Sequence, residues 1–94
     1  MRRAARTDKN QTEIVAALRK RGAVVLITSQ LKNAFDILVG YNGKLFIVEI
    51  KDGSVPPSAR KLTEGESRCK ELFESVGVTY HVVTSIEDAL SLLI

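Results

Sequence analysis

In the stretch FDILVGYNGKLFIVEIK, residues 35–51, an aspartate stands near one end and a glutamate and a lysine near the other, with mostly apolar residues between. The dipeptide Asn42-Gly43 favours a two-residue type I′ turn, because both of its positions need positive φ. Such a turn sets the register of the two strands it joins. Tyr41 then faces Lys44, Val39 faces Phe46, Ile37 faces Val48, and one step further out Asp36 faces Glu49. Directly opposed residues have Cβ atoms roughly 4.5–5.5 Å apart, and like charges placed so are destabilising. Lys51 falls on the same face as Glu49, one step beyond it. Three kinds of chemistry fit this trio. It can be an exposed ion pair at a strand end, worth about 0–1 kcal/mol. It can be a carboxyl pair sharing one proton, with one pKa raised. It can also hold a divalent cation, since hard cations take carboxylate oxygens together with water and substrate phosphate. The lysine suits an anion arriving at that cation, such as a phosphate with an attacking water.

The elements that must position the trio follow from the same patterning. Leu38, Leu45 and Ile47 share the face of Glu49 and Lys51, and Ile37, Val39, Phe46, Val48 and Ile50 fill the other. Two apolar faces imply central strands covered on both sides. Before the hairpin, Asp8 with Gln11 reads as the cap of a first helix, Ile14, Val15, Ala17 and Leu18 form its buried stripe, and Gly22 ends it. Residues 23–27 are an unbroken apolar run, read as a buried strand. Residues 29–34 are a polar connection. After the hairpin, GSVPPSAR is a loop kept from helix and sheet by Pro56 and Pro57. Thr63 and Glu66 make a capping box for a second helix, whose core face is Cys69, Leu72, Phe73 and Val76. Gly77 stops it, residues 78–84 form a last strand, and Ser85 caps a short helix burying Ile86, Ala89, Leu90 and Leu93. The order is α-β-β-β-α-β-α. The final strand should run parallel to the third through a right-handed crossover, giving a small mixed sheet flanked by helices.

The 94 residues fit one domain. Residues 1–7, with Arg2, Arg3 and Arg6, read as a flexible basic arm. The net charge of +3 permits nucleic acid or another anionic partner without demanding one. A single cysteine, Cys69, excludes an internal disulfide and a cysteine-rich zinc site, and it suits a reducing, cytoplasmic setting. No long apolar run marks a signal peptide or a membrane span. Lys44 reads as solvated and His81 as structural, and Tyr41 and Tyr80 form no evident base-stacking platform.

Asp36 followed by Glu49-Ile50-Lys51 on facing strands, after a helix carrying Glu13, resembles the PD-(D/E)XK nucleases. FDILVGYNGKLFIVEIKDG, PPSARKLTEGE and VTSIEDALSLL, taken in order, resemble the small stand-alone VRR-NUC members of phages and bacteria, over almost the whole chain. The resemblance implies a restriction-endonuclease-like α/β core and a Mg²⁺- or Mn²⁺-dependent DNA endonuclease. Asp36, Glu49 and the backbone carbonyl of Ile50 would hold the metal, and Lys51 would orient or activate water. Glu13 matches the family's helical acid and could serve a second ion. Phe35 stands where many relatives have proline, and Glu66 where many have glutamine. Ser58, Arg60 and Lys61 are candidates for DNA phosphate contacts. The implied substrate is branched DNA such as a four-way junction. Flap cutting, nicking and a non-catalytic DNA-binding or assembly role are the alternatives. A homodimer is expected, with Leu92 and Ile94 left off the last helix's own stripe and open to a partner.

Overall fold

A computed structural model describes residues 10–94. The expected capping residue Asp8 and the basic arm lie outside the described residues. The chain forms α1 (Gln11–Lys20), β1 (Val24–Ile27), β2 (Ile37–Tyr41), β3 (Lys44–Ile50), a single 3₁₀ turn (Pro57–Arg60), α2 (Glu64–Ser75), β4 (Tyr80–Val83) and α3 (Ile86–Ser91). The 3₁₀ turn sits where the two prolines implied irregular loop. Proline at its start fits, because its fixed φ suits a first helical position.

The four strands form one sheet in the order β1-β2-β3-β4. β1, β2 and β3 are antiparallel, and β4 is parallel to β3, as a connection through α2 requires. Asn42 and Gly43 have φ of 50° and 79°, the left-handed pair of a type I′ turn. The expected register follows, with Ile37 against Val48, Val39 against Phe46 and Tyr41 against Lys44.

Alternation along β3 then sorts its side chains. Val48 and Ile50 enter the larger core with Ile37, Val39 and Val83, under Ile14, Val15 and Leu18 of α1 and Ala89 of α3. Each fully buried Ile or Leu there contributes about 1.5–3 kcal/mol. Because Val48 and Ile50 point into that core, Glu49 between them must point to the opposite face. That face is covered by α2, whose Cys69 and Phe73 pack with Ile47, Tyr80, Leu38 and Phe35. The Phe35 and Phe73 rings meet edge to face, with centroids 6.2 Å apart.

α2 covers only part of its face, and two expectations change as a result. Residues 23–27 do not form a buried strand. Ala23 and Val25 are buried, but Val24, Leu26 and Ile27 are 68%, 58% and 52% exposed, because β1 is an edge strand beyond the reach of α2. Likewise Leu72 and Val76 are 66% and 75% exposed, so the core face of α2 narrows to Cys69 and Phe73. At the C-terminus, Leu92 packs against the larger core alongside Ile86, Leu90 and Leu93, and Ile94 alone of the two candidates for a partner stays exposed.

The first helix begins at Asn10. This residue makes no side-chain cap bond to its own helix. Its amide instead donates to Lys51 O and Thr84 O, both at 3.1 Å, and ties the start of α1 to the ends of β3 and β4. Among the described residues no helix is long and apolar enough to cross a membrane.

Candidate active site

Asp36 lies in a bend just before β2, where its N–H donates to Val48 O at 3.0 Å. Its carboxylate reaches across to β3, and Oδ2 accepts the Ile50 N–H at 2.8 Å. Asp36 and Glu49 line one cavity of about 170 Å³ together with Glu66. Glu49 is 4% exposed. Its burial, and secondarily the Asp36 carboxylate, push its pKa up to about 9, with Lys51 pulling the other way. The ion pair with Lys51 is thus buried rather than exposed, and burial together with the Asp36 charge favours the protonated form of Glu49 without a metal.

Lys51 bridges the acids. Its Nζ lies 2.8 Å from Glu66 Oε1 and 3.5 Å from Glu49 Oε2, and its side chain is 15% exposed. Burial alone would lower the ammonium pKa, but the Glu66 hydrogen bond and the charges of Glu66 and Glu49 outweigh it and hold the group above its ordinary value. Glu66 responds in the opposite sense. Burial would raise its pKa, yet its bonds with Lys51 and with the Thr63 backbone bring it below the carboxylate range.

Glu66 reaches this position through the helix start. The capping box is complete, since Thr63 Oγ1 accepts the Glu66 N–H at 3.1 Å and Glu66 Oε1 accepts the Thr63 N–H at 2.9 Å. The oxygen that closes the box is the one that binds Lys51. Tyr80, absent from the sequence-derived site, also belongs here. Its hydroxyl donates to Ala34 O at 2.8 Å and lies 3.5 Å from Glu49 Oε1. Burial and then the Glu49 charge push its phenol pKa well up, so it stays a proton donor. The only sequence signal for it was an amphipathic residue at the start of a strand, which does not reveal that its hydroxyl reaches a carboxylate.

The other candidates are not brought to this cavity. Glu13 is exposed on α1, on the far side of the sheet from Glu49, and lines a separate cavity of about 850 Å³ with Asp52 and Glu87. Ser58 and Lys61 are exposed on the segment leading into α2, and Arg60 is half-buried with its Nε unpaired among the described residues.

No family model and no curated protein matches the sequence. A solved structure described as a VRR_NUC domain superposes with a TM-score of 0.62, at 24% identity, over 90% of this chain and 95% of that one. The chain has the VRR_NUC fold. Near-complete coverage in both directions makes the VRR_NUC likeness one of the whole domain, helices and mixed sheet together, as the sequence resemblance implied.

The donor set suits a hard divalent ion. Two carboxylates share a small cavity, and the buried one is costly to ionise without added positive charge. Among the described residues no group of three or more His, Cys, Asp or Glu side chains is placed to hold a metal ion, so only the two carboxylates are available. An ion held here would therefore keep water or substrate oxygens in its shell, as Mg²⁺ does.

Proposed function

We propose that the protein is a metal-dependent DNA endonuclease that hydrolyses phosphodiester bonds by in-line attack of water, acting on branched DNA such as four-way junctions. The observation that carries this reading is the Asp36–Glu49 pair with Lys51 beside it, set in one small cavity on a VRR_NUC fold. Asp36 and Glu49, with the Ile50 carbonyl, would hold Mg²⁺ or Mn²⁺. When bound, such an ion polarises phosphoryl oxygens and makes water a better nucleophile near neutral pH. Lys51 is kept protonated by Glu66, so it serves as a hydrogen-bond donor and cation rather than as a base. It orients the water and offsets charge on the phosphate. Tyr80 and Glu66 hold the two active groups in place. Glu13 is left with no part in this cavity.

A four-way junction has approximate two-fold symmetry, so the reading includes a homodimer, the commonest closed assembly. The test is to incubate the protein with linear, flapped and four-way-junction DNA, with and without Mg²⁺ or Mn²⁺. Metal-dependent paired cuts in the junction are expected. Cutting confined to flaps, or single nicks, would replace the junction reading, and metal-independent binding without cleavage would make the protein a DNA-binding subunit. Light scattering on the same samples should give twice the chain mass, and a strict monomer that still makes paired cuts would remove the dimer.

A further inference from the structure

The connection between β1 and β2, residues 29–34, reads in the sequence as a bare polar linker, yet it walls the cavity over Asp36 and Glu49. Its ends are tied into the sheet. Thr28 N–H donates to Asp36 O at 2.8 Å, Thr28 Oγ1 donates to Phe35 O at 2.8 Å, and the Tyr80 hydroxyl holds Ala34 O. Its middle is seated on α2. Asn33 adopts the left-handed φ of 58°, which asparagine tolerates better than most residues, and its side chain lies against Gly65 in the first helical turn. Any Cβ at position 65 would overlap the Asn33 amide and Cβ. The loop therefore rests on the same helical turn that supplies Glu66. Lys32, next to Asn33, is exposed and is the cationic side chain among the described lining residues.

The cavity, about 170 Å³, has room for phosphate oxygens and their water. Lys51, the cation nearest the acids, is already engaged by Glu66 and Glu49. Positive charge at the rim must come from elsewhere, and Lys32 supplies it.

We propose that residues 29–34 form a substrate-gripping wall, in which Lys32 takes a backbone phosphate flanking the scissile one and the Asn33–Gly65 seat sets where that lysine stands. The proposal rests on the reading of the cavity as a phosphodiester site, and its test separates the two. Binding of labelled duplex and four-way-junction DNA is measured across a salt series in calcium buffer, for wild type and Lys32→Ala. Cleavage is then measured in Mg²⁺ for Lys32→Ala, Gly65→Ala, and Gly65→Ala combined with Asn33→Gly. Loss of one phosphate contact should make the slope of log K against log salt shallower by ~0.9, raise KM severalfold and leave kcat within about twofold. Gly65→Ala should lower kcat/KM severalfold, by no more than Lys32→Ala does, while the fold is retained by circular dichroism. The double variant, which removes the overlap and suits the positive φ, should recover most of that loss. An unchanged salt slope in Lys32→Ala, or a double variant no better than Gly65→Ala alone, overturns the proposal. If wild type cleaves nothing, the nuclease reading falls, while the salt slope still decides whether Lys32 grips the strand.

Discussion

Glu49 links the stability of the metal-free protein to pH, and the sign and size can be worked out. Its folded pKa is raised from 4.5 to about 9, chiefly by burial. The folded state therefore holds this proton where the unfolded chain has released it. The stability that goes with the proton is fully present below the unfolded value and drains away as pH rises through the folded one. The slope reaches at most ~1.4 kcal/mol per pH unit between the two values. The window is best placed above neutrality. His81, whose pKa burial lowers, changes stability in the opposite direction, but below its ordinary value near 6.5. Glu66 acts lower still, and Lys51 acts above the window. From about pH 7 to about pH 8.5, with a chelator present, the protein should lose roughly 1–2 kcal/mol, or about 5–10 °C in Tm for a domain of this size. A divalent ion at a hundred times its Kd adds ~2.7 kcal/mol. Because it competes with the Glu49 proton, its stabilisation should be larger at the upper pH. The assay is thermal unfolding at the two pH values, with chelator and with Mg²⁺, on wild type and Glu49→Gln. The substitution removes the titrating group, so its chelator curve should be flat across the window. A flat wild-type curve, or a Glu49→Gln protein with the wild-type slope, would refute the argument.

Three further outcomes follow from the same geometry. Lys51→Ala should lower cleavage by about 10²–10³ while isothermal titration still detects metal binding, since both proposed carboxylate ligands remain. Asp36→Asn should abolish the Mg²⁺-induced rise in Tm, yet leave the metal-free Tm near neutrality almost unchanged. Glu49 is already protonated there, so the repulsion that is relieved appears only towards and above pH 9. Glu66→Gln retains an oxygen for the Thr63 N–H and should keep both stability and most cleavage, whereas Glu66→Ala should cost about 1 kcal/mol in denaturant unfolding and lose activity with it. Equal damage by the two substitutions would show that charge, rather than placement of Lys51, is what Glu66 contributes.

The hairpin register from Ile37 against Val48 to Tyr41 against Lys44, which brings Asp36 and Glu49 to one cavity, was legible because the signal is local. Asn42-Gly43 specifies the turn, the turn specifies the pairing out to Ile37 and Val48, and the acids stand one residue beyond. The capping box at Thr63 and Glu66 was legible for the same reason. What the sequence could not convey depends on how far one element reaches over another. An apolar run such as residues 23–27 looks alike in a central and an edge strand, and the difference lies in α2 stopping short of β1. Leu72 and Val76 keep helical spacing yet hang beyond the strands that α2 covers. Leu92 lay off the counted stripe of α3 but turns back onto the core in the last turn of the chain. Glu66 and Tyr80 join the site through contacts spanning 15 and 31 residues, which no spacing rule anticipates. Glu13 matched a pattern by type and order, but α1 packs on the other face of the sheet.

One oxygen atom, Glu66 Oε1, closes a helix cap and holds Lys51 at the same time. Helix ends fray in ordinary thermal motion, long before a domain melts. Each time the first turn of α2 opens, Lys51 loses its shortest contact, so under the proposed role of Lys51 the site would switch on and off on the clock of helix fraying. The exchange rate of the Thr63 amide proton is thus a readout of how much of the population has Lys51 in place. A substitution at Thr63 or Glu64 that loosens the turn acts as a dimmer on the site without touching it.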